Sequence, residues 1–166
     1  GLGDVYKRQE VNQLLPLTPI DELQMPEITT PDSGPTHMGA ALEMLLEKVD
    51  HEVNKGTKEQ KGDWMPLLFL MTDGKPSDNQ AFNNVVPKVK GSRFATIVCC
   101  AAGPKAKTDE LRQLTDKVYQ IDTLDSSTLM KFFKWVSGII GEGNKSMGAT
   151  DELVLPPPPE EVNVVI

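Results

Sequence analysis

The chain has 166 residues, of which 39% are hydrophobic and 25% charged, so it is large enough for one folded domain with tails. A net charge of −7, without basic clusters interleaved with aromatic residues, argues against nucleic acid as a partner. No apolar segment approaches the roughly 20 residues of a membrane span, and the start lacks a signal-peptide pattern. We therefore expect no membrane partner and a cytoplasmic location.

The central feature of the sequence is a run of five apolar residues that ends in a polar turn. The run Leu67–Met71 predicts a strand buried on both faces, because a half-solvated strand would alternate with polar residues. Thr72, Asp73 and Gly74 then place a hydroxyl, a carboxylate and a turn-permitting glycine at the carboxyl end of the strand, where open parallel sheets bind ligands. An ordinary Asp-Gly turn explains the same residues, so this stretch alone leaves both interpretations open.

Both ends of the chain are expected to lie outside the domain, which spans residues 10–142. Residues 1–9 have no hydrophobic period and resemble a translated adapter leader, so the natural domain is expected to begin further upstream. A short strand is predicted around Val11–Leu15. Residues 143–166 contain four consecutive prolines followed by acidic residues, which predicts a disordered Pro-rich acidic tail in preference to a segment that docks on a partner.

Apolar spacings of three and four residues predict the first two helices. One helix is expected from Thr36, its N-cap, through Val49. Another is expected after Ser77 or Asp78, and Pro87 should end or kink it.

Two further strands and two helices are predicted in the second half of the chain. The strands are Phe94–Ala102 and Val118–Ile121, with a brief helix capped by Thr108 between them. Asp125 or Ser126 opens the final helix, whose predicted buried face consists of Leu129, Phe132, Phe133, Val136, Ile139 and Ile140. The alternation of strands and helices predicts an α/β fold with a mostly parallel sheet and helices on both sides.

The cysteines and tryptophans are assigned structural roles. Cys99 and Cys100 are adjacent in an apolar run, so we expect core residues on opposite faces of a strand instead of a disulfide or a zinc site. Trp64 and Trp135 are predicted to anchor packing. The two histidines, at positions 37 and 51, lack ligand spacing and are expected at the surface.

Two motifs together resemble the von Willebrand factor A (vWA) domain. The first is Ser33-Gly-Pro-Thr-His-Met-Gly-Ala-Ala-Leu42 at the start of a helix, and the second is Leu67-Leu-Phe-Leu-Met-Thr-Asp-Gly74 at the end of the next strand. Their spacing looks most like the bacterial tellurium-resistance TerY type. The resemblance covers about residues 10–142 and implies a Rossmann-like, doubly wound, mostly parallel sheet.

The vWA resemblance implies a metal-ion-dependent adhesion site at the carboxyl edge of the sheet. The matching residues are Thr36 and Asp73, whose hydroxyl and carboxylate are hard oxygen ligands that suit Mg²⁺, with Mn²⁺ or Ca²⁺ as substitutes. An open coordination position then accepts an acidic side chain of another protein. The resemblance thus implies a metal-dependent protein-binding module, of adhesion or scaffold type and without catalysis, in a tellurite- or stress-resistance system.

The chain departs from the vWA pattern in lacking the Asp-x-Ser-x-Ser strand that supplies two serine ligands. Thr36 and Asp73 are then half of a site, and metal binding is expected of the intact parent protein. The vWA strand order 3-2-1-4-5-6 implies that a chain without its first strands leaves Leu67–Met71 as an open sheet edge. Two alternatives stay open: a receiver-like or phosphoryl-transfer protein in which Asp73 is phosphorylated, and an inactive fragment.

Overall fold

The computed structural model describes residues 11–19, 21–27, 34–146 and 155–165, so the predicted leader at residues 1–9 lies outside it. The helices are α1 (Met38–Glu52), α2 (Asn79–Gly91), α3 (Asp109–Arg112) and α4 (Ser126–Ser146). The strands are β1 (Leu67–Thr72), β2 (Thr96–Ala102), β3 (Val118–Ile121) and β4 (Asn163–Val164). Helices and strands alternate from α1 to α4, which confirms the predicted α/β class.

The four strands form one open sheet in the order β1-β2-β3-β4. β1 and β2 are parallel, as are β2 and β3, whereas β4 pairs with β3 in the antiparallel direction. In the part of the chain that is described, β1 is therefore an edge strand, as predicted. Only Leu68 of β1 is buried, so the prediction of a strand covered on both faces is wrong; β2, which has a neighbour on each side, is buried at all positions but one.

Backbone proximity divides the chain into two compact units. The first comprises residues 1–63 and 76–85 and contains α1 with the start of α2. The second comprises residues 64–75 and 86–166 and contains the sheet, α3, α4 and the end of α2. None of the described helices has the length and apolar character that a membrane span requires.

The N-terminal segment of the first unit is irregular, so the predicted strand around Val11–Leu15 is wrong. Glu52 of α1 holds this segment instead, because its carboxylate accepts hydrogen bonds from the Leu17 amide at 2.7 Å and from Gln13 Nε2 at 3.0 Å. These bonds favour the charged form and lower the pKa of Glu52.

Pro87 lies inside α2 and does not end it, so of the two predicted effects only a kink stays a prediction. A proline in a helix interior costs about 3 kcal/mol, because one backbone hydrogen bond is lost and the ring crowds the preceding turn. Val85 and Val89, on either side of Pro87, are fully buried. Full burial of a valine contributes about 1.5–3 kcal/mol, so the two valines together offset the proline.

The core of the second unit lies between the sheet and α4. It consists of Val98, Cys100, Tyr119, Ile121, Phe132, Trp135, Val136, Ile139 and Val162, with Phe69, Met71 and Leu155 packed against it. Cys99 and Cys100 are buried, as predicted, and burial raises the pKa of each thiol to about 12. Both thiols are therefore neutral at physiological pH.

The buried face of α4 is only partly as predicted. Phe132, Val136 and Ile139 are buried, but Phe133 is 54% exposed and Ile140 is 44% exposed. Each exposed residue follows a buried one by a single position, which turns it about 100° around the helix. Trp135 fills the buried face instead and confirms its role as a packing anchor, whereas Trp64 is half-exposed and its predicted packing role is wrong.

Residues 155–165 depart from the expected disordered tail, while residues 147–154 of that tail lie outside the described part of the chain. Leu155 packs against the core of the second unit and Val162 belongs to it. The segment ends in β4, which pairs with β3. The tertiary contacts of these residues therefore overrode their polyproline composition.

The start of α4 is capped by Asp125, as predicted. Its carboxylate accepts hydrogen bonds from the Thr128 amide at 2.9 Å and from the hydroxyls of Thr128 and Thr123 at 2.7 and 2.8 Å. These bonds stabilise the charged form and lower the pKa of Asp125 to about 2.

We expect the Asp125 cap to make stability depend on acidity between pH 4 and pH 2. The folded-state pKa lies below the unfolded value of about 3.9, so the contribution is fully present above pH 4 and is lost as the pH falls through 2. Urea unfolding of the native chain and of Asp125→Asn across this range tests the linkage. The stability difference between the two proteins should shrink towards pH 2, and a constant difference would contradict it.

Candidate metal and partner site

At the carboxyl end of β1, the Thr72 hydroxyl is engaged in hydrogen bonds, whereas the Asp73 carboxylate is free to bind a ligand. The Thr72 hydroxyl donates to the Gly74 carbonyl at 3.0 Å and accepts from the Gly74 amide at 3.2 Å, so it closes the turn. Asp73, between them, is exposed, and its carboxylate has no hydrogen bond or ion pair with any described residue. Asp73 is thus the group at this strand end that can bind something else.

Thr36 is not the N-cap of α1, so that prediction is wrong. The helix begins at Met38, and His37 occupies the N-cap position without a side-chain capping bond. The Thr36 carbonyl instead accepts hydrogen bonds from the amide and the hydroxyl of Ser77, at 2.9 and 3.2 Å. The Thr36 hydroxyl is half-buried and forms no hydrogen bond within the described residues, so it is also available.

Asp78 caps α1 from a distant position in the chain. Its carboxylate accepts hydrogen bonds from the amides of Gly39 at 3.1 Å and Ala40 at 2.9 Å, two of the amides that lack partners at a helix start. Its carbonyl accepts from the Phe82 amide at 2.9 Å, so the backbone of Asp78 opens α2. The predicted position of Asp78 before α2 is confirmed, but its side chain serves the other helix.

Gly39 is where α1 and the start of α2 approach most closely in the first unit. A Cβ atom at Gly39 would lie 2.3 Å from the Phe82 nitrogen and 2.6 Å from the Ala81 carbonyl carbon. Both neighbours are backbone atoms and cannot turn aside. Gly39, the second glycine of the first vWA-like motif, is therefore required for the packing of the two helices.

Loss of the Asp78 carboxylate is expected to destabilise the chain by about 0.5–2 kcal/mol, the usual cost of removing a helix cap. Asp78→Ala leaves the Gly39 and Ala40 amides without acceptors at a partly buried site. Asp73→Ala is the matched control, because Asp73 is exposed and its loss should change the unfolding free energy by less than about 0.5 kcal/mol. Urea titrations compare the two variants, and equal effects would contradict the capping role.

The two predicted metal ligands belong to different units of the chain. Thr36 lies in the first unit with Ser77, Asp78 and Gly39, and Asp73 lies in the second unit with the end of β1. In sequence, Ser77 follows Asp73 by four residues. Their joint binding of one ion stays a prediction.

The donor chemistry of this pair fits a hard divalent cation. A hydroxyl and a carboxylate are oxygen ligands of the kind that Mg²⁺ and Ca²⁺ bind. Both oxygens lack competing hydrogen bonds within the described residues, unlike the Thr72 hydroxyl and the Asp78 carboxylate of the same motifs.

Comparisons of the chain with protein-family models, with curated proteins and with solved structures find no match. The vWA interpretation therefore rests on the two sequence motifs.

Proposed function

We propose that the chain is part of a vWA-type module that binds a partner protein through a divalent cation. The Thr36 hydroxyl and the Asp73 carboxylate would hold the ion, with Mg²⁺ preferred and Mn²⁺ or Ca²⁺ as substitutes. One observation carries the proposal. The Thr36 hydroxyl and the Asp73 carboxylate form no hydrogen bond within the described residues, whereas the side chains of Thr72 and Asp78, in or beside the same motifs, are hydrogen-bonded to the backbone.

The residues around the two ligands have supporting roles. Ser77 fixes the Thr36 backbone through two hydrogen bonds to the Thr36 carbonyl. The Thr72 turn holds the residues on either side of Asp73, whose carboxylate is exposed. When bound, the ion would supply positive charge and an open coordination position for an acidic side chain.

No catalytic step enters the proposal, because the function is recognition. The four-stranded sheet would belong to a Rossmann-like, doubly wound sheet of the vWA type. The assignment to tellurite or stress resistance comes from the TerY-like spacing of the motifs.

The metal part of the proposal is tested with Mn²⁺ and Mg²⁺ as probes. We expect Mn²⁺ binding, followed by electron paramagnetic resonance, to be weakened at least about 10-fold by Asp73→Asn and by Thr36→Val, and Mg²⁺ to compete with Mn²⁺. Asp109→Asn removes another exposed aspartate, at the start of α3, and should leave binding unchanged. Absent binding, or equal affinity in all variants, would contradict metal binding by this chain and favour the inactive-fragment interpretation.

The partner part is tested with a short peptide that carries a single glutamate. Binding should require Mg²⁺, should be abolished by a chelator, and should fail for the same peptide with glutamine, because the neutral amide is a weaker ligand for a hard cation. Peptide binding that is unchanged by the chelator would contradict metal-bridged recognition even if Mn²⁺ binds.

The exposed carboxylate at the end of a parallel strand also suits a receiver-like role, in which Asp73 is phosphorylated. Incubation with acetyl phosphate and Mg²⁺, followed by intact-mass measurement, separates the two functions. Addition of one phosphoryl group that is lost in Asp73→Asn would favour the receiver-like role, and an unchanged mass would favour the recognition module.

A further inference from the structure

The C-terminal segment consists of residues 155–165. Its proline-rich part lies on an aromatic surface of the second unit. Trp135 Nε1 donates a hydrogen bond to the Pro156 carbonyl at 3.0 Å. The Trp135 ring also packs edge-to-face on Tyr119, with centroids 4.8 Å apart, and Leu155 packs against the same core. Aromatic rings with a donor for a proline carbonyl are the features by which binding grooves recognise polyproline segments.

Further contacts hold the end of the C-terminal segment, residues 161–165. Lys131 forms an ion pair with Glu161, and Val162, only 4% exposed, enters the core. The Val165 amide donates to the Val118 carbonyl at 2.9 Å, and Asn163 pairs with Gln120 across β4 and β3. We call the residues of β3 and α4 that hold the segment the tail surface: Val118, Tyr119, Gln120, Lys131 and Trp135.

We propose that the tail surface is a peptide-binding site that accepts residues 155–165 of a second copy of this chain, so that two copies exchange their C-terminal segments. The contacts that define the fit join the segment to β3, α4 and the core of the second unit. A second copy carries the same segment and the same surface, so the exchange is reciprocal and closed.

The attachment of the segment within one copy is limited enough to allow exchange. β4 contains two residues, and the side chains of Lys131 and Glu161 are 50% and 38% exposed. Because the segment and the tail surface belong to the same chain, the closed monomer should dominate in dilute solution, and exchanged dimers should grow with protein concentration. Thr36 and Asp73 take no part, so this inference is independent of the proposed metal site.

A charge swap across the ion pair tests the exchange. Lys131→Glu and Glu161→Lys each place like charges opposite one another within a copy, whereas an exchanged heterodimer of the two variants restores opposite charges at both surfaces. The equimolar mixture should contain about 2- to 25-fold more dimer than either variant alone, because each of the two exposed pairs contributes a factor of about 1.4 to 5. Light scattering after size exclusion measures the dimer, and high salt should remove the increase.

The double variant Lys131→Glu/Glu161→Lys is the matched control, because it restores the pair within one copy and should dimerise no more than the native chain. The exchange is overturned if the mixture holds no more dimer than the separate variants, or if the double variant dimerises as strongly as the mixture. Both outcomes are read on full-length protein.

A disulfide trap that leaves both charges in place provides the second measurement. Gln120→Cys and Asn163→Cys face each other in the β3–β4 pair, so the two variants, mixed at high concentration under glutathione, should form a covalent heterodimer. Cys99 and Cys100 are buried, with pKa values raised to about 12, and should not compete. Lys58→Cys, exposed in the first unit, replaces Gln120→Cys as the collision control, and equal yields in the two mixtures would overturn the exchange.

Discussion

Gly39→Ala is expected to destabilise the first unit by about 1–3 kcal/mol or more, the range for overpacking a close contact. The added methyl group would lie 2.3 Å from the Phe82 nitrogen, and Phe82 is itself almost fully buried. The clash of the added methyl group could be relieved only if α1 and the start of α2 separated. That separation would also stretch the hydrogen bonds from the amides of Gly39 and Ala40 to Asp78. Urea unfolding with a signal from the first unit measures the loss.

Gly138→Ala is the matched control for Gly39→Ala, because both positions are helical. A Cβ at Gly138 meets no atom within 4 Å and the residue is exposed in α4. Alanine should therefore stabilise by about 0.5–1 kcal/mol, since it reduces the backbone entropy of the unfolded chain. The same substitution should lower the unfolding free energy at position 39 and raise it at position 138. A change in the same direction at both positions would contradict the close approach at Gly39.

Trp135→Ala is expected to cost about 3–5 kcal/mol in the unfolding free energy, the usual loss when a buried tryptophan is truncated. The substitution empties a site between β3, α4 and the C-terminal segment, removing the edge-to-face contact with Tyr119 and the hydrogen bond to Pro156. Chemical unfolding followed by circular dichroism gives the loss.

Trp135→Phe separates the hydrogen bond from the packing. Phenylalanine keeps an aromatic ring at the site but cannot donate to the Pro156 carbonyl, so this part of the loss should be about 0.5–1.5 kcal/mol. In native-state hydrogen exchange the Val165 amide, bonded to Val118, should exchange faster in both variants than in the native chain. Unchanged exchange would contradict a role for Trp135 in holding the C-terminal segment.

The order of helices and strands could be predicted from the sequence because it follows from local patterns. Apolar runs located β1 within one residue, located β3 at its observed bounds, and located β2 with a start two residues early. Three- and four-residue spacing located α1, α2 and α4, and the polar residue at 125 located the start of α4. These signals lie within a single element, so they need no knowledge of its neighbours.

The misses fall where a residue acts on a partner that is distant in sequence. Asp78 was placed correctly before α2, yet its carboxylate caps α1, 38 and 39 residues away. Residues 155–165 have the composition of a disordered tail, but Trp135 and the β3 edge hold them. Composition reports whether a segment can fold alone, and this segment is ordered by a surface elsewhere in the chain.

The sequence by itself determined the α/β class, the bounds of β3, the N-terminal cap of α4 and the two motifs that contain Thr36 and Asp73. Only the tertiary structure decided that Gly39 is a close-packing position, that Thr72 and Asp78 are structural, and that the C-terminal segment is docked on the second unit. The physical reason is that hydrogen-bond partners and packing neighbours are set by which elements meet in space, whereas periodicity and capping preference are properties of neighbours along the chain.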